Sequence, residues 1–280
     1  MSVLDNVILG VVQGLTEFLP VSSSGHLILV RDFFGLATSS GLAFDAVLHF
    51  ATALAVVAYF WRDISHLLSR CVYWALGRGI GVHEKMLIIA LVVATVPAVI
   101  LGLLLEDIMA TAFRSSFVVA GALVAGSVVM FLAEKYIPRT PLGKKPVDNF
   151  QQGGSLLDWK RALLVGLFQS LALVPGMSRS GMAISGAMLM GISREEAARF
   201  AFLLAIPLLL GAGGKKLLEL GASGELVAGA WVIAAGALSA FFVGIVVIHY
   251  LLLFLRTHSL MVFVWYRLLL AALVLGAVLV

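Results

Sequence analysis

The sequence predicts an all-α polytopic membrane protein, with six transmembrane helices and two re-entrant helical hairpins arranged as inverted-topology repeats. Three observations predict it. Hydrophobic residues make up 61% of the 280 and charged residues only 12%, whereas a soluble domain carries about 25% charged residues. Mean hydropathy is +1.08. The charge deficit also runs the whole length of the chain, so residues 1–280 read as a single membrane domain. Two apolar regions are broken at their centres by similar polar, Pro- and Gly-containing motifs.

A helix needs about 20 mostly apolar residues to cross the hydrocarbon core. The stretches 43–61, 86–106, 116–134, 199–214, 226–254 and 259–280 meet that need. The region 3–36 is interrupted by Gln13, Glu17, Pro20, Ser22, Ser23, Ser24, Gly25 and His26. The region 159–192 is interrupted by Gln169, Pro175, Gly176, Ser178, Arg179, Ser180 and Gly181. Each leaves two half-length apolar pieces that can enter the bilayer and turn back where protein surrounds the irregular backbone. Around Gln13 the text runs Gln-Gly-Leu, then Pro20, then Ser-Ser-Ser-Gly. Around Gln169 it runs Gln-Ser-Leu, then Pro175, then Ser-Arg-Ser-Gly, with the same spacing from Gln to the final Gly. Three spans follow each hairpin, so the second half starts on the opposite side. Repeat one is 1–136 and repeat two 158–280, an architecture that places sites at the bilayer midplane.

The N-terminal segment has no basic stretch and carries Asp5, Gln13 and Glu17, so it does not read as a cleavable signal peptide. A lone Cys71 excludes a disulfide framework and a thiolate metal cluster. The slight excess of basic residues does not indicate nucleic acid, because they fall between apolar runs. Arg62, Arg70, Arg78, Lys85, Lys135, Arg139, Lys144, Lys145, Lys160, Arg161, Arg194, Arg199 and Arg256 fall on one side of the predicted topology. Arg31, Arg114, Lys215 and Lys216 fall on the other. The richer side is cytoplasmic by the positive-inside rule. Both termini are then expected on the external face.

Ionisable groups at membrane depth are costly and are functional candidates by default. Glu17, His26 and Arg179 lie inside the broken segments. Gln13 and Glu17 share one helix face. Two helix N-termini, after Ser22 and after Ser178, are expected to converge and offer backbone N–H groups to an anion, phosphate above all. Ser22, Ser24, Gly25, Ser178, Ser180 and Gly181 are the phosphate-binding candidates, and Arg179 adds a planar fork suited to phosphate oxygens. Gly10 and Gly14 read as close helix packing. His66, His83 and His258 are expected in or near loops and solvated. His49 and His249 read as packing or snorkelling residues, since neither has a metal-ligand partner at the right spacing. Arg267 reads either as a second anion contact or as a buried structural pair.

The stretches QGLTEFLPVSSSGH (Gln13 to His26) and PGMSRSG (Pro175 to Gly181) resemble the two signature motifs of the undecaprenyl-diphosphate phosphatase family, also called bacitracin-resistance proteins. SGAMLMG (Ser185 to Gly191), FLLAIP (Phe202 to Pro207) and Tyr266-Arg267 extend the resemblance over essentially the whole chain. The family's first motif places Glu or Gln before a fixed Glu; here Gln13 holds the variable place and Glu17 the fixed one.

The resemblance implies hydrolysis of undecaprenyl (C55 polyprenyl) diphosphate to the monophosphate and inorganic phosphate, which recycles the lipid carrier of cell-wall synthesis in the bacterial inner membrane. It implies resistance to bacitracin, which competes by binding the substrate, and it leaves room for a homodimer. It also implies a divalent cation, Mg or Ca. In family terms Glu17, His26 and Arg179 are the essential polar residues and Ser23 the usual nucleophile. The chemistry that follows assigns the cation to Glu17 and Gln13, phosphate oxygens to Arg179, attack to Ser23 or a water, and proton transfer to His26. Sequence does not separate Ser22, Ser23, Ser24 and water as nucleophile. A transporter or flippase for prenyl phosphate lipids would need the same anion site, but no nucleophile, base or cation. The type-2 phosphatidic acid phosphatases share only fragments, since no His follows Arg179 within the hairpin.

Overall fold

The computed structural model describes residues 2–35, 41–105, 108, 115–136, 157–223 and 230–279. Arg114, Arg139, Lys144 and Lys145 of the orientation argument lie outside them. So do residue 36 of the first hairpin and the ends of several predicted spans (106, 226–229 and 280). The described residues are helical, with no strand among them. In chain order the helices are α1 (Val3–Phe18), α2 (Ser23–Phe34), α3 (Gly41–Tyr59), α4 (Trp61–Ala75), α5 (Val82–Leu104), α6 (Ser116–Tyr136), α7 (Trp159–Ser170), α8 (Arg179–Leu189), α9 (Arg194–Ser223), α10 (Ala230–Thr257) and α11 (Met261–Leu279).

Four helices are long and apolar enough to cross a membrane: α5, α6, α9 over Arg194–Glu219, and α10. The pair α3 and α4 would make a fifth, although it bends by 82° at Phe60. The apolar part of α11, Met261–Gly276, is shorter. Helix α4 corrects the sequence reading, which left His66 in or near a loop. Its Arg62, Asp63, His66 and Arg70 alternate with Ile64, Leu67, Leu68 and Cys71, an amphipathic stripe that favours a surface helix. His66 is not simply solvated, for its Nε2 lies 3.2 Å from Glu84 Oε1.

The two broken regions form short helices that meet end to end. Helix α1 starts in a capping box, where Ser2 Oγ accepts from Asp5 N and Asp5 accepts in return; Asp158 caps α7 by accepting from Arg161 N. Helix α1 stops at Phe18 before Pro20, which cannot continue it. Helix α7 tightens through a 3₁₀ turn at Leu171–Leu173 before Pro175. Each second helix then begins after a serine in left-handed backbone, Ser22 at φ 76° and Ser178 at φ 71°. These are the two positive-φ non-glycine residues among those described, and each such position costs about 1–3 kcal/mol. Each hydroxyl offsets part of that cost by accepting from the N–H three residues on, Gly25 and Gly181 respectively.

Packing crosses between the halves. Helix α1 lies against α10, and Gly10 and Gly14 do serve close packing there. A Cβ at Gly10 would stand 2.2 Å from Gly236 O, and one at Gly14 2.8 Å from Ala240 O. Helix α7 meets α5 in the same way, with a Cβ at Gly166 2.4 Å from Ala94 O. At one end of the bundle Arg194 pairs with Glu134, Arg199 with Asp63 and Arg256 with Glu195. These pairs tie together α4, α6, α9 and α10. The Arg31–Asp45 pair joins α2 to α3.

Candidate active site

Glu17 is the hub. It is the penultimate residue of α1, its side chain is only 4% exposed, and both carboxylate oxygens are engaged. Oε2 accepts from Gln13 Nε2 at 2.7 Å and from Ser23 Oγ at 2.7 Å. Oε1 accepts from Arg179 Nη2 at 2.5 Å. The shared face of Gln13 and Glu17 therefore exists, and the break turns Ser23 back onto it. Arg179, the first residue of α8, arrives from the other half of the chain. Its Nη1 is buried without a partner.

A fourth contact was missed in the sequence. His49 of α3 places Nδ1 3.1 Å from Glu17 Oε2 and 2.9 Å from Gln13 Nε2. It is a member of the cluster rather than a packing or snorkelling residue. The signal was present, since an ionisable residue in an apolar run is itself a flag, but nothing local pointed to Glu17. His249 fits the milder reading, with Nδ1 3.1 Å from Tyr59 OH.

The three serines of the first break divide into different roles. Ser23 Oγ reaches the carboxylate. Ser22 Oγ caps α2 and also accepts from Gly176 N at 3.1 Å, which links the two breaks. Ser24 Oγ stands 3.5 Å from Ser22 Oγ. In the second break Ser178 caps α8, and Ser180 Oγ, 3.2 Å from Ser178 Oγ, donates to Leu19 O at 3.1 Å. The N–H groups of Gly25 and Gly181 thus serve the helix caps in this form.

His26 stands apart from the carboxylate. Its Nδ1 lies 2.7 Å from Ser22 O and its Nε2 2.7 Å from Tyr266 OH. Arg267, offered by the sequence as an anion contact or half of a structural pair, has no carboxylate partner among the described residues. It is wholly buried and donates to Ser127 Oγ and to the carbonyls of Pro20, Ala122, Leu123 and Gly176. A buried guanidinium without a carboxylate is costly unless its hydrogens are taken up, and here carbonyls do so. Gly126 makes the room, because a Cβ there would stand 2.2 Å from Arg267 Nη2. Pro20 and Gly176 sit in the two breaks, so one side chain fixes both.

The assembly therefore joins a carboxylate that takes a hydroxyl hydrogen, a guanidinium with a buried N–H group to spare, and a separate imidazole. This is the equipment for moving a phosphoryl group by positioning and electrostatics. The family model for the bacitracin resistance protein BacA matches residues 6–273. This chain belongs to the BacA family. Among relatives, the undecaprenyl-diphosphatase of Rubrobacter xylanophilus is 41% identical over 276 residues, covering 98% of this chain and 97% of its own. That of Desulforudis audaxviator is 39% identical over 270 residues, covering 96% and 95%. That of Chlorobium phaeovibrioides is 38% identical over 274 residues, covering 96% and 94%. For this BacA-family chain, Gln13, Glu17, Ser23, His49 and Arg179 form the cluster around which a reaction can be drawn.

Proposed function

We propose that this protein is an undecaprenyl-diphosphate phosphatase, a membrane hydrolase that releases inorganic phosphate from a polyprenyl diphosphate, leaves the monophosphate carrier and confers bacitracin resistance. Membership in the BacA family and the names of its relatives support the activity. The observation that carries the mechanism is the Glu17 carboxylate, which bonds Ser23 with one oxygen and Arg179 with the other.

Arg179 holds the terminal phosphate through the Nη1 group that has no protein partner. Ser23 Oγ attacks the terminal phosphorus and its proton passes to Glu17 Oε2. The bond from that phosphorus to the bridging oxygen breaks, and the lipid monophosphate departs. Water then attacks the phosphoserine, with His26 Nε2 taking a proton from it; the bond from phosphorus to Ser23 Oγ breaks, Glu17 Oε2 returns its proton to that oxygen, and inorganic phosphate leaves. Ser23 is preferred over its neighbours because, of the three, its hydroxyl is the one bonded to the carboxylate.

The residues fit a hard divalent cation. Gln13 Oε1 is a buried acceptor without a partner, beside one carboxylate and one hydroxyl. Among the described residues no group of three His, Cys, Asp or Glu could hold a metal. That suits Mg or Ca, which can take much of their shell from water and substrate phosphate. Glu17 and Gln13 would hold the ion. Bound there, it would neutralise charge on the diphosphate.

We further read the chain as six spans with re-entrant hairpins at 3–36 and 159–192, in inverted repeats 1–136 and 158–280. Paired left-handed serines, paired caps and the matching contacts α1 with α10 and α7 with α5 support it. The basic end of the bundle, with Arg194, Arg199 and Arg256, would face the cytoplasm and both termini the outside. Against the flippase reading stands the stapling of the two breaks by Arg267 and by the Ser22–Gly176 bond.

The test is phosphate release from a long-chain prenyl diphosphate by purified protein in detergent, with and without chelator. Cation-dependent release that Glu17→Gln and Arg179→Ala both abolish is expected. Well-folded protein releasing none would favour transport, with the same residues reassigned to binding.

A further inference from the structure

His26 is only partly buried, so water could satisfy either ring nitrogen. Yet both are bonded by protein. Ser22 O can only accept, so Nδ1 carries the ring hydrogen in the neutral imidazole, and Nε2 holds the lone pair. The 2.7 Å contact at Nε2 is then a hydrogen bond donated by the Tyr266 hydroxyl. The two ring planes are also nearly parallel, 5° apart, with centroids 5.7 Å apart, so the rings lie edge to edge along the bond. An imidazole whose burial does not demand a partner gains orientation from such a bond.

The donor is itself held in place. Tyr266 is 44% exposed, but its chain neighbour Arg267 is bonded to Pro20 O and Gly176 O in the two breaks. Ser22, which holds Nδ1, belongs to the same frame through Gly176 N. Both edges of the His26 ring are therefore referred to one rigid junction, one directly and the other through α11.

We propose that Tyr266 is a positioning residue of the hydrolytic site, which holds His26 with Nε2 as its basic nitrogen and yields that nitrogen to the attacking water when substrate arrives. The inference rests on the hydrolase reading above. It makes α11 a working part of the site, although among the described residues none of α11 touches Glu17, Ser23 or Arg179 by hydrogen bond or ion pair.

Tyr266→Phe keeps the ring and removes only the hydroxyl from a half-exposed position. In purified protein the expected result is a kcat about tenfold lower with KM little changed, the loss of one orienting hydrogen bond. In a His26→Ala background the same substitution should add no further loss, because Tyr266 acts through His26. Nitrogen-15 spectra of histidine-labelled protein, with His26 assigned by its absence in His26→Ala, should show the Nε2 resonance displaced in Tyr266→Phe. An unchanged kcat, an equal loss without His26, or an unmoved Nε2 resonance would each overturn the proposal. If wild-type protein releases no phosphate, the hydrolase reading fails by itself, while the nitrogen spectra still decide whether Tyr266 holds His26.

Discussion

The two breaks share a backbone and divide the chemistry. Both turn through a serine in left-handed conformation whose hydroxyl caps the next helix, and both lend a carbonyl to Arg267. Their side chains differ. The first carries Glu17, Ser23 and His26; at the matching places the second carries Leu173, Arg179 and Met182. Even the matched glutamines differ in company. Gln13 bonds Glu17 and His49, whereas both amide atoms of buried Gln169 have no partner. A repeated frame can thus supply two converging helix starts while one copy keeps the carboxylate, hydroxyl and imidazole and the other the guanidinium.

The sharpest way to break that division is across the Glu17–Arg179 contact. Arg179→Lys keeps a charge but loses the planar fork, so phosphate release should fall by about a hundredfold or more. Near-normal turnover would remove from the scheme the guanidinium that bonds Glu17 with one nitrogen and phosphate with the other. The next comparison separates serines. Ser23→Ala should abolish release while leaving the melting temperature close to wild type. Ser22→Ala should lower stability by about 1–2 kcal/mol through the lost cap and the lost link to Gly176, seen as a lower melting temperature in detergent. Equal loss of activity in both would undo the distinct roles. A third comparison uses His49: His49→Leu should slow release by about tenfold by freeing one side of Glu17, and full activity would return His49 to packing. The smallest effect is expected at the glutamines. Gln169→Leu removes an unsatisfied buried amide and should be neutral or stabilising by about 1 kcal/mol. Gln13→Leu should instead weaken the response of phosphate release to added cation.

The resemblance of the two broken motifs was legible in the sequence because proline, glycine and serine interrupt an apolar run visibly. The face shared by Gln13 and Glu17 was legible too, being one turn of helix. The separate duties of Ser22 and Ser23 were not, since adjacent hydroxyls look alike until a left-handed turn sends one to the carboxylate and the other across to Gly176. Helix α4 was passed over because its apolar stripe is too short and too interrupted by charge to read as a span.

By itself the sequence determined a membrane protein of the BacA family, broken twice by polar segments that hold Glu17, Ser23, His26 and Arg179. Composition, helical period and motif spacing are local properties, and a linear text carries them. Only the tertiary structure decided that His49 joins Glu17, that Arg267 binds the two breaks together, and that Tyr266 bonds His26. Each depends on side chains distant in sequence being brought to hydrogen-bonding range, and helix packing, down to the space left by Gly126, sets that range.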